Sequence, residues 1–112
     1  MKLIYVAGPY STGDTTENIA NAVRAGLAIM RAGHSPFVPH AHTHIMAMFE
    51  VHDHEEWLAI DIALLSRCDA LFRLPGESPG AKQEIAFADE SGIPVFTCMD
   101  DLLVWCGISG DD

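Results

Sequence analysis

The chain has 112 residues, of which 49% are hydrophobic and 20% are charged, as is typical of a single globular domain rather than a disordered protein. Its formal net charge of −10 disfavours nonspecific binding to nucleic acid, which needs a basic surface. Its apolar stretches are interrupted within about ten residues, whereas a membrane helix needs roughly 20. We therefore expect neither a nucleic-acid partner nor a membrane span.

The cysteines and the acidic residues near the C-terminus give two further predictions, about cellular location and about exposure of the chain end. The three cysteines, Cys68, Cys98 and Cys106, form no CxxC motif, which favours reduced, buried thiols and a cytoplasmic location. The segments Met99–Asp101 and Gly110–Asp112 are acidic and predict a solvated C-terminal end.

The first half of the chain predicts two strands and a helix. The apolar run Lys2–Gly8 predicts a central strand rather than a signal peptide. After a loop, a helix capped by Thr15 or Thr16 is expected to end at Gly33. Its predicted apolar row consists of Ile19, Val23, Leu27 and Met30. A short strand at Ser35–Pro39 follows, and the stretch HAHTHIMAMFEVH predicts a loop with one helical turn.

The second half continues the alternation of helices and strands. It predicts a helix at Asp53–Cys68, a strand at Asp69–Leu74, a helix closed by Gly92, a strand at Ile93–Thr97 and a short last helix in DLLVWCG. Asp53 is the expected N-cap of the first of these helices, and Glu56 completes a capping box.

Strands that alternate with helices indicate βαβ units, and so a parallel sheet covered by helices on both faces. We predict a small flavodoxin-like or Rossmann-like three-layer sandwich with four or five strands and the order 2-1-3-4. In such a sheet a ligand binds past the carboxyl ends of the strands, where the strand order reverses. The loops GPYSTG and PGESPG, after the first and third strands, should flank this crevice.

Three side chains near the crevice are candidates for catalysis. Glu84 follows the PGESPG loop. The alternative is that it is an exposed carboxylate near a helix start, where its interaction with the helix dipole stabilises the fold by about 0.3–1 kcal/mol. Asp61 shares a helical row with the apolar residues Trp57 and Leu65. A carboxylate buried in such a row needs a hydrogen-bonding partner or a function. The alternative is that the row lies at the edge of the buried face. Tyr5, in the first strand, could donate its hydroxyl to Glu84.

Both flanking loops lead into helix N-termini and supply hydroxyl and N–H groups. Neither loop matches a P-loop or the GxGxxG pattern, so we expect no cofactor. We expect the substrate to contact Gly8, Pro9, Tyr10, Ser11, Ser78, Gly80 and His40.

The segments IYVAGPY, EEWLAIDIALLSRCDALFRLPG and SPGAKQEIAFADESGIPVF resemble the nucleoside 2-deoxyribosyltransferase-like superfamily, which includes hydrolases of deoxynucleoside 5′-monophosphates. The chain is most similar to its short bacterial and phage branch. The resemblance implies one such domain over residues 1–112, with Glu84 as the nucleophile at the anomeric carbon, Asp61 as sugar ligand and proton assistant, and Tyr5 in contact with the nucleophile. It also implies a homodimer or higher homo-oligomer.

The resemblance leaves the substrate open between nucleosides and their 5′-monophosphates. It equates Ser78 with a phosphate-contacting serine of the nucleotide hydrolases. However, GPYSTG lacks the arginine that those hydrolases carry there, and TCMDD does not match the residue that their dimers donate across the interface. The chemistry suits the residues, because cleavage of an N-glycosidic bond passes through an oxocarbenium-like state that a carboxylate stabilises or captures.

Two other functions compete with the glycosidic reaction. On an extended backbone His40, His42 and His44 would share one face and could bind a transition metal in a metallohydrolase. We expect instead no metal, with loop histidines at the mouth of the site that contact base or solvent. The second competitor is a non-catalytic nucleotide- or nucleoside-binding module, which the missing loop arginine favours.

Overall fold

The computed structural model describes residues 1–108 and contains the predicted alternation of strands and helices. The elements are β1 (Leu3–Ala7), α1 (Thr15–Arg31), β2 (Ser35–Phe37), α2 (Pro39–Ala47), α3 (His54–Leu65), β3 (Ala70–Arg73), α4 (Pro79–Ser91), β4 (Val95–Phe96) and α5 (Met99–Ile108). The four strands pair in parallel in the order β2-β1-β3-β4. The predicted fold class and strand order are therefore confirmed.

The central strand β1 is buried on both of its faces, because successive side chains of a strand point to opposite sides of the sheet. Ile4 and Val6 pack with residues of α1 and α5, whereas Tyr5 and Ala7 pack with residues of α3 and α4. This alternation directs Tyr5 toward the layer that contains the two candidate carboxylates.

The helix α1 buries a different row from the one predicted. Its buried residues are Ala22, Ala25, Gly26 and Ile29, whereas Val23, Leu27 and Met30 are 36%, 38% and 55% exposed. The small residues let the helix approach the chain after β2 closely, since a Cβ on Gly26 would lie 2.8 Å from Cγ2 of Val38. The predicted threonine cap is also wrong: the Asp14 side chain accepts from the backbone N–H of Glu17 at 3.2 Å.

Of the stretch predicted as a loop with one helical turn, residues 40–47 belong to the nine-residue helix α2, and residues 48–52 lie outside any helix. Pro39 occupies its first turn, where the absent N–H costs no helical hydrogen bond. Because side chains advance by 100° per residue along a helix, His42 cannot share a face with His40 and His44. The extended arrangement of the three histidines is therefore wrong.

The helix α3 begins with the predicted capping box, and α4 ends at the predicted glycine. The Asp53 carboxylate accepts from the Glu56 N–H at 2.9 Å, and the Glu56 carboxylate accepts from the Asp53 N–H at 3.1 Å, which confirms the capping box. Ser78 caps α4, and Gly92 follows the helix with a left-handed φ of 76°, a conformation that favours glycine.

The described part of the chain contains no helix that combines the length and apolar character needed to cross a bilayer. Of the predicted acidic C-terminal end, Asp100 and Asp101 are exposed in the first turn of α5. The segment Gly110–Asp112 lies outside the described residues.

Candidate active site

A cavity of about 400 Å³ opens past the carboxyl ends of the central strands, which is where the strand order places a ligand crevice. Its wall contains eight of the residues singled out in the sequence, namely Gly8, Tyr10, Ser11, His40, Asp61, Ser78, Gly80 and Glu84. Tyr5 and Pro9 do not line the cavity, but Tyr5 contacts Glu84 and Pro9 contacts His40.

Other wall residues were not anticipated from the sequence. The helix α3 contributes His54, Trp57 and Leu58 beside Asp61, a set with the spacing of one helical face. That spacing could have identified them once Asp61 was assigned to the crevice. Thr43 and Ala47 also line the cavity, but they lie on α2, which the sequence did not predict as a helix.

The Tyr5 hydroxyl donates a hydrogen bond of 2.7 Å to Oε2 of Glu84. Tyr5 is fully buried and Glu84 is only 7% exposed. Small residues on the same helix, Ala81 and Ala88, pack against the sheet and bring α4 close enough for this contact. The alternative of an exposed acid near a helix start is therefore wrong for Glu84.

Burial is the main influence on both members of this pair. It raises the pKa of Glu84 to about 7; the Asp61 carboxylate raises it further, while the Tyr5 hydrogen bond and, more weakly, the Arg73 charge lower it. Burial also raises the pKa of the Tyr5 phenol, and the Glu84 and Asp61 charges act in the same direction. Tyr5 thus remains a protonated donor, and Glu84 exchanges its proton close to neutral pH.

Asp61 lies half-buried on the cavity-facing side of α3. Its Oδ1 is buried and has no hydrogen-bond partner within residues 1–108. Burial raises its pKa to about 6, and the charge of His54 opposes this rise. Two carboxyl groups that titrate near neutrality therefore share one cavity, a common property of catalytic sites.

Ser78 connects the two loops that flank the cavity. Its hydroxyl donates to the Gly8 carbonyl at 3.3 Å and accepts from the Ala81 N–H at 3.1 Å. The Arg73 guanidinium donates to the carbonyls of Leu74 and Gly76. Among the described residues that line the cavity, none is lysine or arginine.

The histidines of α2 have separate partners. His40 Nε2 lies 2.8 Å from the Pro9 carbonyl oxygen, and His44 Nδ1 lies 2.9 Å from the Tyr10 hydroxyl. The His42 ring packs 6.0 Å from that of Phe37. Across residues 1–108, no three His, Cys, Asp or Glu side chains are grouped so that they could hold a metal ion.

Because a buried carboxylate is costly to ionise, Glu84→Gln is expected to stabilise the fold at alkaline pH. The pKa of Glu84 in the folded chain, about 7, lies above its usual value of 4.5, so the cost is absent below about 4.5 and complete above about 7. The variant should therefore exceed wild type by about 1–3 kcal/mol in free energy of unfolding at pH 8 and by less at pH 5. Denaturant unfolding at both pH values measures the difference.

The matched control is Glu90→Gln, which removes an exposed carboxylate from the same helix. Its difference from wild type should be small at both pH values. A Glu84→Gln difference that stays constant between pH 5 and pH 8 would contradict the assigned cost of ionisation.

Comparison with known proteins gives a family and similar solved structures. The family model described as "Domain of unknown function (DUF7768)" matches residues 2–98. The 2-deoxyribosyltransferase of the psychrotolerant bacterium Bacillus psychrosaccharolyticus is 18% identical, with a TM-score of 0.67 over 90% of each chain. No curated protein matches the chain. At this identity the likeness shows the shared fold, and the roles of side chains must be argued from their geometry.

Proposed function

We propose that this chain, which belongs to the DUF7768 family, cleaves or transfers the N-glycosidic bond of nucleosides with Glu84 as its nucleophile. The observation that carries the proposal is the buried Glu84 carboxyl group, held by the Tyr5 hydroxyl at 2.7 Å in the wall of a cavity that also contains Asp61. The solved structure with the same fold is described as a biocatalyst for the synthesis of nucleosides, which supports this reaction class.

In the proposed first step Oε1 of Glu84 forms a bond to the anomeric carbon of the sugar. The bond from that carbon to the base nitrogen breaks, and its electron pair leaves with the base, which takes up a proton from water. Asp61, with a pKa of about 6, assists this proton transfer and accepts a hydrogen bond from a sugar hydroxyl. Tyr5 occupies Oε2 and so orients the attacking oxygen.

The second step releases Glu84 from the glycosyl ester. Attack by water on the anomeric carbon gives the free sugar, which is hydrolysis, whereas attack by a second base gives a new nucleoside, which is transfer. Either nucleophile gives up one proton to water as the Glu84 carboxylate is restored. The same cavity serves both outcomes because the two steps use the same carbon and the same carboxylate.

We propose an uncharged nucleoside rather than a 5′-monophosphate as the substrate. The buried side-chain atoms without a partner within residues 1–108, on His40 and Asp61, are acceptor sites that suit N–H or O–H groups. A phosphate would find no lysine or arginine among the described residues of the cavity wall, and the Arg73 guanidinium already donates to loop carbonyls. The proposed substrate contacts are Gly8, Pro9, Tyr10, Ser11, Ser78, Gly80 and His40.

We further propose one domain spanning residues 1–112, a cytoplasmic location and assembly as a homodimer or higher homo-oligomer. The three cysteines are free thiols, which suits a reducing compartment. Large apolar side chains are exposed on and after α2, namely Met46, Met48, Phe49 and Val51. Exposed apolar groups of this kind are typical of interfaces.

The proposal is tested by measuring free-base release from ribo- and deoxynucleosides and from their 5′-monophosphates. We expect at least one nucleoside to exceed its own monophosphate by about tenfold or more in kcat/KM. A monophosphate preferred over its nucleoside would refute the substrate class. Binding of a nucleoside with no base release from any compound would refute the reaction and favour a binding module.

A further inference from the structure

His40 is held in one protonation state by its surroundings. It is 4% exposed in the first turn of α2, and its Nε2 lies 2.8 Å from the Pro9 carbonyl oxygen. A carbonyl oxygen only accepts, so Nε2 must carry the proton. Burial lowers the pKa of the ring, and the backbone carbonyls of Pro9 and Gly8 oppose this less strongly. The ring is therefore neutral near pH 7, and Nδ1 presents a lone pair.

The Nδ1 atom of His40 is buried and has no hydrogen-bond partner in the described part of the chain. Buried polar atoms in folded proteins are almost always paired, so an unpaired one needs an explanation. Oδ1 of Asp61 is also unpaired, and both residues line the same cavity. Both unpaired atoms are acceptors when His40 is neutral and Asp61 is ionised. A ligand that supplies donors to both satisfies them together.

The ring of His40 is also fixed in direction. The Tyr10 ring packs against it edge to face, with the centroids 6.0 Å apart, and the Tyr10 hydroxyl lies 2.9 Å from Nδ1 of His44. His40 is thus held by the Pro9 carbonyl on one side and by an anchored aromatic ring on another. An acceptor with a fixed position can discriminate between ligands, because the ring cannot move to form a hydrogen bond with a donor at another position.

We propose that Nδ1 of His40 is a fixed hydrogen-bond acceptor that selects substrates carrying a donor at the matching position. This inference rests on the proposed function of the cavity. In a nucleoside the donor is either an N–H group of the base or a hydroxyl group of the sugar, and the two sources have the same chemistry toward the imidazole. His40 then determines specificity, whereas Glu84 performs the covalent step.

The first test is the position of the ring proton. Nitrogen NMR of the protein labelled in its histidines, with the His40 signal assigned from a variant, should show a neutral ring protonated at Nε2 at pH 7. A ring protonated at Nδ1, or at both nitrogens, would remove the acceptor and overturn the inference. This measurement needs neither a ligand nor turnover.

The second test measures base release from matched pairs of nucleosides. One pair differs in the exocyclic amino group of the base, and further pairs each differ in one sugar hydroxyl. In one of these pairs wild type should prefer the compound with the donor by about tenfold or more in kcat/KM. In His40→Phe that preference should fall to about twofold or less. The pair that responds identifies the source of the donor.

The ratio within a pair separates recognition from folding, because partial unfolding lowers both rates equally. The matched control is His42→Phe, on the same helix but exposed and outside the cavity wall, which should keep the wild-type ratio. An unchanged ratio in His40→Phe, or a wild type without preference in every pair, refutes the inference. If His40→Phe does not fold, the inference is tested by the wild-type ratios of kcat/KM and by the position of the His40 ring proton.

These outcomes are distinct from failure of the proposed function. If wild type releases no base from any compound, the reaction is refuted, and the same pairs are compared by equilibrium dialysis instead. A preference in dissociation constant of about tenfold for the compound with the donor keeps the inference for a binding site. Absence of any preference overturns it there as well.

Discussion

Glu84→Gln is expected to lower the rate of base release by at least about 10³-fold, because glutamine presents no anionic oxygen to attack the anomeric carbon. The amide oxygen can still accept the Tyr5 hydroxyl, which in wild type donates to the carboxyl at 2.7 Å, so the fold and the cavity should remain. The measurement is the single-turnover rate of base release at saturating nucleoside.

The control for this loss is again Glu90→Gln, an exposed position on α4, which should keep the wild-type rate within about twofold. Nucleoside affinity, measured by quenching of Trp57 fluorescence in the cavity wall, should change far less than the rate in Glu84→Gln. A variant that releases base within about tenfold of wild type would exclude Glu84 as the nucleophile.

Asp61→Asn is the second large change and is expected to lower kcat/KM by about 10²–10⁴-fold, the range typical of a lost acid–base assistant. It should also move the pH profile. In the proposed mechanism Glu84 attacks as a carboxylate, and its pKa is about 7, so the wild-type rate should fall as the pH drops through about 7. Because the Asp61 charge raises the pKa of Glu84, its removal should shift this limb to lower pH.

The pH dependence of kcat/KM from pH 5 to pH 9 measures both effects of Asp61→Asn. Glu55→Gln is the matched control, since it removes an exposed carboxylate from the first turn of the same helix and should leave the limb in place. If the acidic limb of the kcat/KM profile stays at the same pH in Asp61→Asn, or moves to higher pH, the two carboxyl groups do not interact as the structure indicates.

The sequence predicted the strand order and the edge of the sheet that carries the cavity, because both follow from the apolar run Lys2–Gly8 and the alternation of elements. It failed where the packing did not follow the largest apolar residues. The row Val23, Leu27 and Met30 has helical spacing, yet α1 buries Ala22, Ala25 and Gly26 instead. Small side chains permit a closer approach to the sheet, which hydrophobic periodicity alone does not reveal.

The candidate site was predictable to a similar extent. The positions of Tyr5 and Glu84 in their elements suggested a contact, and the structure contains it at 2.7 Å. The role of α2 could not be predicted, because its histidines and methionines carry a weak helical pattern. The unpaired Nδ1 of His40 depends on the position of the Pro9 carbonyl, which only the folded chain determines.

The central claim, a covalent step on Glu84, is tested most directly by acid quenching the wild-type protein during nucleoside turnover and mapping modified peptides by mass spectrometry. We predict a glycosyl adduct on the peptide that contains Glu84, absent from Glu84→Gln and removed when the quench follows complete turnover. Base release without any adduct on Glu84, or an adduct on another residue, would contradict the assignment of Glu84 as the nucleophile.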